Sequence, residues 1–149
     1  MNIKKIAVFF MVLSCSGLLK AAVNNAKQIT ITFKYQFIHE GEGKDINTRL
    51  KVYVDDVVKG VSLAKVESDA NAVTIEIPSG NHKIRAVIES EFEGVWEEHT
   101  IANEYSIDCI YLSEMDFTKH VRVDLVFDIE KGTIVKNVET KASSFNSPF

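Results

Sequence analysis

The sequence has few of the residues that build metal centres or disulfide-stapled folds, with two cysteines and four histidines among 149 residues. It has no Cys-x-x-Cys or His-x-His pair, so the spacing predicts no metal site. Basic residues number 17 against 21 acidic ones, and the net charge of −4 argues against a nucleic-acid partner. Gly-rich phosphate loops and Gly-x-Ser-x-Gly nucleophile motifs are also absent. We therefore expect no cofactor and no enzyme activity.

The one long apolar run lies at the amino terminus. Lys4 and Lys5 precede an unbroken apolar stretch, residues 6–13, and small residues follow it. This order is typical of a secretory signal peptide, and the run is too short for a confident membrane-spanning helix. The pattern predicts a signal peptide at residues 1–21 and a single exported domain at 22–139, periplasmic or extracellular, with no transmembrane segment in the mature chain.

The cysteines bear on how the protein is exported. If Val12-Leu13-Ser14-Cys15 is a lipobox, Cys15 is acylated and anchors a lipoprotein; this is the alternative to simple secretion. With cleavage after residue 21, Cys109 is the remaining thiol and no intramolecular disulfide can form. The leader also carries three lysines and no acid, so the mature chain has 14 basic and 21 acidic side chains, net −7.

The mature chain alternates between apolar and polar residues, which predicts β-strands with one buried face. The alternation is clearest at residues 28–38, and four further runs share it. The expected inward sets are Ile29, Ile31, Phe33, Tyr35 and Phe37; Leu50, Val52 and Val54; Val73, Ile75 and Ile77; Ile84, Ala86 and Ile88; and Val121, Val123, Leu125, Phe127 and Ile129. Weaker strands are predicted at residues 57–66, 95–102, 106–112 and 133–138.

Short strands separated by turn residues predict an all-β fold, an antiparallel Ig-like (PEGA- or transthyretin-like) β-sandwich. A closed barrel with a ligand cavity is the competing architecture. Residues 140–149 show no alternation and are predicted to be a flexible tail.

Residues 50–101 resemble the PEGA domain, a small Ig-like sandwich module of exported bacterial proteins. The resemblance rests on VYVDDVVKG at 52–60 and IPSGNHKIRAV at 77–87, followed by a hairpin at 93–101. Asp56 stands where the family usually has glycine, and Val61-Ser62 replaces its Thr-Pro. Asp56 is acceptable there because aspartate enters left-handed turns. His82 opens a strand, where its ring is expected to hydrogen-bond turn carbonyls.

The densest cluster of functional side chains is the segment 89–99, in which five carboxylates surround the single tryptophan. The pattern favours a solvated hairpin with Trp96 packed over the sheet edge; the functional alternative is a hairpin tip whose aromatic rings stack on a cationic or carbohydrate partner. Glu97 and Glu98 are adjacent and should point to opposite faces, which argues against a carboxylate pair for glycoside hydrolysis. The candidate binding residues are Phe92, Trp96, Glu91, Glu93, Glu97 and Glu98.

These observations favour an exported, non-enzymatic β-sandwich that acts in binding or assembly at the bacterial cell envelope. A cell-envelope protein or glycan would be its partner. One alternative is a lipocalin-like barrel that carries a small apolar ligand. A second is a hydrolase that uses the acidic hairpin around Trp96.

Overall fold

The computed structural model describes residues 26–38 and 45–141. The predicted signal peptide, Cys15 and residues 142–149 of the predicted tail lie outside the described residues. The described part is all-β, as predicted, and its one helical element is the short 3-10 turn Ile101–Asn103. The strands are β1 (Gln28–Ile38), β2 (Asn47–Val54), β3 (Val57–Val61), β4 (Lys65–Val66), β5 (Asn71–Pro78), β6 (Gly80–Phe92), β7 (Val95–Glu98), β8 (Ile110–Phe117), β9 (His120–Asp128) and β10 (Gly132–Lys141).

The strands form two sheets that pack face to face as a β-sandwich. The first sheet has the order β10-β9-β1-β5. The second has the order β3-β2-β6-β7, with β4 beside β2 and β8 beside the first part of β6. All pairs are antiparallel except β1 with β9, which run parallel from Ile31↔Val121 to Ile38↔Asp128. The prediction of an antiparallel sandwich is therefore correct for every strand pair but this one.

Alternation decides which side chains fill the core. The odd-numbered residues of β1 are buried, and the even-numbered ones between them are exposed or half-buried. The predicted inward sets on β2 and β6 are buried as well, so the two inner faces meet through branched and aromatic side chains. Each large apolar side chain buried in this way contributes about 1.5–3 kcal/mol. The largest fully buried members are Tyr35, Phe33, Phe117, Phe127, Ile29, Ile31, Leu50, Ile77, Ile84, Ile88, Leu125 and Val52.

Two of the weaker predicted strands differ in extent from the observed ones: one is divided in two and the other is shorter. The prediction for 57–66 covers two strands, β3 and β4, because the regular pairing with β2 ends at Val61 and resumes at Lys65. The Ser62 hydroxyl accepts the backbone N–H of Leu50 and donates to the carbonyl of Leu63, both at 2.9 Å. The prediction for 95–102 is too long, since β7 ends at Glu98 and the 3-10 turn follows.

The prediction for 106–112 is wrong in position. Strand β8 begins at Ile110, while Ile107 and Cys109 precede it in a loop, 7% and 0% exposed. Their alternate burial resembles a strand pattern, and Cys109 bonds through its backbone to Ile88 and His99, but the continuous strand starts only at Ile110. The prediction for 133–138 is confirmed within β10, which extends to Lys141 and so into the predicted tail. Ile129 was expected inward, but β9 ends at Asp128 and Ile129 is 37% exposed.

The turn between β2 and β3 is fixed by a histidine from another strand. Asp55 and Asp56 have φ values of 51° and 64°, which is a left-handed two-residue hairpin turn. His82 Nδ1 lies 2.7 Å from Asp55 Oδ2, and its Nε2 donates to the carbonyl of Pro78 at 2.9 Å. The expected bond from His82 to a turn carbonyl is thus present, and one ring links the β2–β3 and β5–β6 turns.

Gly60 allows β3 of the second sheet to close against β5 of the first. A Cβ atom at this position would lie 2.6 Å from Ile75 Cγ2, too close for carbon atoms. We expect Gly60→Ala to lower the free energy of unfolding by about 1–3 kcal/mol in a urea titration, because the core is overpacked at this point.

The Ile75→Ala background is the control for this prediction, since it removes the atom that the new methyl group would meet. In this background, Gly60→Ala should lower the free energy of unfolding clearly less than it does in the wild type. Equal costs in both backgrounds would contradict the packing explanation. Val57→Ala, an exposed change on the same strand, should change stability by no more than about 0.5 kcal/mol.

Candidate functional site

The β6–β7 hairpin divides the predicted binding residues between two faces. Glu91 is paired with Trp96, and Phe92 with Val95, so side chains directly opposite each other share a face. Glu91, Trp96 and Glu98 therefore lie on the outer face of the second sheet. Phe92 and Glu97 lie on the other side, and Glu93 is in the turn with a φ of 49°. The aromatic rings of Phe92 and Trp96 are not one stacking platform.

The split also separates the carboxylates. Glu98 binds the guanidinium of Arg85 in a bidentate pair with distances of 2.9 and 2.5 Å. Glu97 instead accepts a hydrogen bond of 2.9 Å from the Tyr105 hydroxyl. Glu91 accepts one of 3.0 Å from the side-chain amide of Asn47. The expected opposite directions of Glu97 and Glu98 agree with these contacts.

Trp96 is half-buried beneath a cation. The Arg49 guanidinium lies over its ring, 4.2 Å from the centroid. Arg49 Nε also donates to Glu89 at 2.7 Å, and Lys51 Nζ donates to the other oxygen at 2.8 Å. Burial alone would raise the pKa of Glu89, but the hydrogen bonds from Lys51 and Arg49 outweigh it and lower that pKa. The carboxylate is therefore charged at neutral pH and holds both cations in place.

A second aromatic ring on the same face repeats this arrangement. The Arg85 guanidinium lies 5.2 Å and the Lys51 ammonium 5.6 Å from the centroid of the Tyr53 ring. We call this set the ion-pair face. Its members are Arg49, Lys51, Tyr53, Arg85, Glu89, Trp96 and Glu98. Its cations are fixed by carboxylates and aromatic rings at once, so the surface is preorganised.

Exposed apolar side chains border the ion-pair face on both sides. Val58 is opposite Tyr53, and Val61 is opposite Lys51, on strand β3. Leu112 on β8 is opposite Arg85. Their exposed fractions are 45%, 42% and 66% respectively. Strands β3 and β8, on opposite edges of the second sheet, thus present apolar groups that the core does not use.

The structure also assembles a buried polar cluster that sequence reasoning missed. Ser90 Oγ lies 2.9 Å from His99 Nδ1, and Glu67 Oε1 lies 3.7 Å from the same nitrogen. The His99 ring stacks on Tyr105 with centroids 4.1 Å apart. The available signal was weak: Ser90 and His99 are close in sequence, but Glu67 comes from the segment after β4.

Serine, histidine and glutamate suggest nucleophilic catalysis, but their geometry does not fit it. In a catalytic triad the hydroxyl and the carboxylate face opposite ring nitrogens, whereas both groups here face Nδ1. Ser90 is fully buried, so its hydroxyl does not reach solvent. Burial also lowers the pKa of His99 from 6.5 to about 4, which makes it a weak base. The cluster therefore lacks the geometry of a serine-type catalytic triad.

The thiol of Cys109 is buried near this cluster. It is 0% exposed, and burial raises its pKa far above the ordinary thiol value. A protonated, shielded thiol is a poor nucleophile and a poor metal ligand. Within residues 26–38 and 45–141, no group of three or more His, Cys, Asp or Glu side chains could hold a metal ion.

The same residues contain no helix with the length and apolarity needed to cross a membrane. No protein-family model matches the sequence, and no curated protein matches it either.

The buried state of His99 predicts a loss of stability in mild acid. Its pKa is lower in the folded than in the unfolded chain, so unfolding takes up a proton between pH 6.5 and about 4. The stabilisation is complete above pH 6.5 and is lost as the pH falls through this window. By urea titration, we expect His99 to contribute about 2 kcal/mol to the drop in unfolding free energy from pH 7.5 to 5.0.

His99→Gln keeps a hydrogen-bonding partner for Ser90 and removes the titrating group. Its unfolding free energy should be lower than that of the wild type at pH 7.5 but should fall less on acidification. The same pH slope in both proteins would show that His99 does not carry the effect. The carboxylates Glu89, Asp55 and Asp45 also lose their contribution to stability on acidification, but at lower pH, because their pKa values are lowered in the folded state.

Proposed function

We propose that this protein is an exported, non-enzymatic β-sandwich that binds another protein of the bacterial cell envelope through its ion-pair face. Export is supported by the signal-peptide pattern of residues 1–21. Binding is supported by one observation above all, the exposed apolar groups on both sides of the ion-pair face. The resemblance of residues 50–101 to PEGA modules agrees with this proposal.

The composition of the face favours a protein partner. Tyr, Trp and Arg are the residue types most enriched at energetically important interface positions. Here Tyr53, Trp96 and Arg49 are held by neighbouring charges, so little side-chain freedom would be lost on binding. Val58 and Leu112 add apolar area at opposite edges. A preorganised surface of mixed charged, aromatic and apolar groups suits a folded partner.

A glycan is the less favoured partner for this face. Sugar rings bind by stacking on an open aromatic face, and the Trp96 ring is already covered by the Arg49 guanidinium at 4.2 Å. The second aromatic candidate, Phe92, is 58% exposed but lies on the opposite side of the hairpin. A glycan would first have to displace Arg49 from its contacts with both Trp96 and Glu89.

The two other functions have less support from the described residues. A lipocalin-like carrier needs a closed barrel around an apolar cavity, whereas the described strands form two sheets with side chains packed between them. A hydrolase at the hairpin needs two converging carboxylates, whereas Glu97 and Glu98 bind different partners on different faces. We therefore retain binding as the proposed function.

Site-specific cross-linking in the native host tests the proposal. A photo-reactive phenylalanine analogue at Leu112 should give a discrete higher-mass adduct in the envelope fraction. The same analogue at Glu130, in the exposed turn after β9, should give none. Absence of an adduct at Leu112 while the protein is present in the fraction would contradict the proposal. An adduct carrying saccharide would favour the glycan alternative.

Charge substitution provides the matched variant. Val61→Asp combined with Leu112→Asp should reduce recovery of the partner at least tenfold in a pull-down with the mature chain. Because both positions are exposed, the unfolding free energy should stay within about 0.5 kcal/mol per substitution. Ile129→Asp makes a similar change at a 37% exposed residue outside the face and should leave recovery unchanged.

A further inference from the structure

The outer face of the first sheet, on the opposite side of the sandwich, carries a groove with a volume of about 440 Å³. Its walls come from strands β1, β9 and β10, from the start of β5 and the residue before it, and from Lys65 of β4 at the edge of the second sheet. It continues along β1 and β9 as a smaller depression of about 270 Å³, with Lys34 and Arg122 shared between the two. Together they form one extended groove, which we call the basic groove.

The alternation that fills the core also places side chains in this groove. Since the odd residues of β1 point inward, Thr32, Lys34 and Gln36 point outward. The parallel register sets Lys34 beside Asp124 and Gln36 beside Val126 on β9. Val126 is 3% exposed and forms an apolar floor, although it belongs to the outer face.

An irregularity in β10 adds a further cation. The register passes from Val135↔Leu125 directly to Asn137↔Asp124, so Lys136 is an extra, unpaired residue in a β-bulge. Bulges bend the strand and redirect side chains, and they are frequent beside binding sites. Lys136 lines the basic groove as a result.

The charge of this groove is opposite to that of the chain. Four cations line it, Lys34, Lys65, Arg122 and Lys136, with one carboxylate, Asp124. Asp124 accepts two hydrogen bonds from Arg122, at 2.8 and 2.6 Å. Within the described residues, Lys34 and Lys136 have no ion-pair partner. A protein with a net charge of −4 therefore keeps a locally positive groove.

We propose that the basic groove binds an anionic saccharide, a sugar that carries a carboxylate or a phosphate group. Lys34 and Lys136 would hold the anionic group, while Gln36 and Asp124 provide hydrogen-bonding partners for sugar hydroxyls. The volume lies within the range of about 300–1,000 Å³ that is usual for small-ligand sites. This site is independent of the ion-pair face, so either proposal can fail without the other.

The saccharide is favoured over an acidic peptide by the neutral polar groups of the groove. Thr30 and Thr32 extend it with hydroxyls, and Thr32 Oγ1 lies 3.0 Å from Thr74 Oγ1 on β5. An anionic sugar needs both charge neutralisation and several hydroxyl partners along its length. Both hydroxyls are hydrogen-bonded within the protein, Thr30 Oγ1 with His120 Nδ1 at 2.7 Å and Thr32 Oγ1 with Thr74, yet each keeps a lone pair that a sugar hydroxyl can donate to. The carboxylates of an acidic peptide have no O–H group to donate to them.

Titration of the mature chain with glucuronic acid and glucose 6-phosphate tests the proposal, with glucose as the neutral control. We expect both anionic sugars to shift the backbone amide NMR signals of residues 34–36, 122–126 and 135–137, and to bind at least tenfold more tightly than glucose. The double variant Lys34→Gln, Lys136→Gln should weaken binding at least tenfold. Lys59→Gln, an exposed change on β3 of the other sheet, should have no effect.

Several results would overturn the proposal. Equal affinity for glucose would show that charge is not recognised. Inorganic phosphate binding as tightly as glucose 6-phosphate would show that the sugar is not recognised. Tighter binding of tetraglutamate would identify an acidic peptide site instead. The double variant Lys34→Arg, Lys136→Arg keeps both charges, so its affinity for the anionic sugars should stay within about threefold of the wild type. A larger loss of affinity in a variant that still folds would exclude the role assigned to these two cations.

Discussion

The alternation of side chains along the central strands is the constraint on which the structure depends. In an extended strand successive side chains point to opposite faces, so each residue that enters the core sends its neighbours outward. On β1, the burial of Phe33 and Tyr35 leaves Lys34 on the outer face. On β6, the burial of Ile84 and Ala86 leaves Arg85 outside. A slip of one residue in either strand would expose the core and bury charges, so the packing fixes both outer surfaces.

The two outer surfaces use their charges in different ways. On the second sheet, Glu89 is 7% exposed at its side chain and is held by Arg49 and Lys51. Removing one cation would leave the buried carboxylate without its partner, which is strongly destabilising. Replacing the whole ion pair by apolar side chains is often neutral by comparison. Order on this face therefore depends on complete pairing. On the first sheet, Lys34 and Lys136 are exposed and cost little desolvation, so their charges stay available to a ligand.

The sequence predicts what depends on local pattern within a strand. It does not predict what depends on pairing between distant segments. The inward sets of β1, β2 and β6 follow from composition within each strand, and all of them are buried as expected. The parallel pairing of β1 with β9 joins segments about 90 residues apart and left no local signal. The loop residues Ile107 and Cys109 were misassigned to a strand because a loop packed on the core can bury alternate residues too.

The candidate site shows the same division. The separation of Phe92 from Trp96 was within reach of the sequence, because a two-residue turn at Glu93-Gly94 pairs residue 92 with 95 and 91 with 96. The Arg49 guanidinium over Trp96 was not, since it depends on the register of β2 against β6. Lys136 enters the basic groove through a bulge that shifts the register by one residue, and no composition signal marks that shift.

The sandwich separates its two proposed binding surfaces by a full hydrophobic core. Packed sheets lie about 10 Å apart, so ligands on the two outer faces do not meet. The core between them is densely packed, with Phe33, Leu50 and Ile84 fully or almost fully buried. Coupling between sites requires two states with different affinities. A protein on the ion-pair face and an anionic saccharide in the basic groove would therefore bind at the same time and independently, which suits a module that joins two components of an envelope.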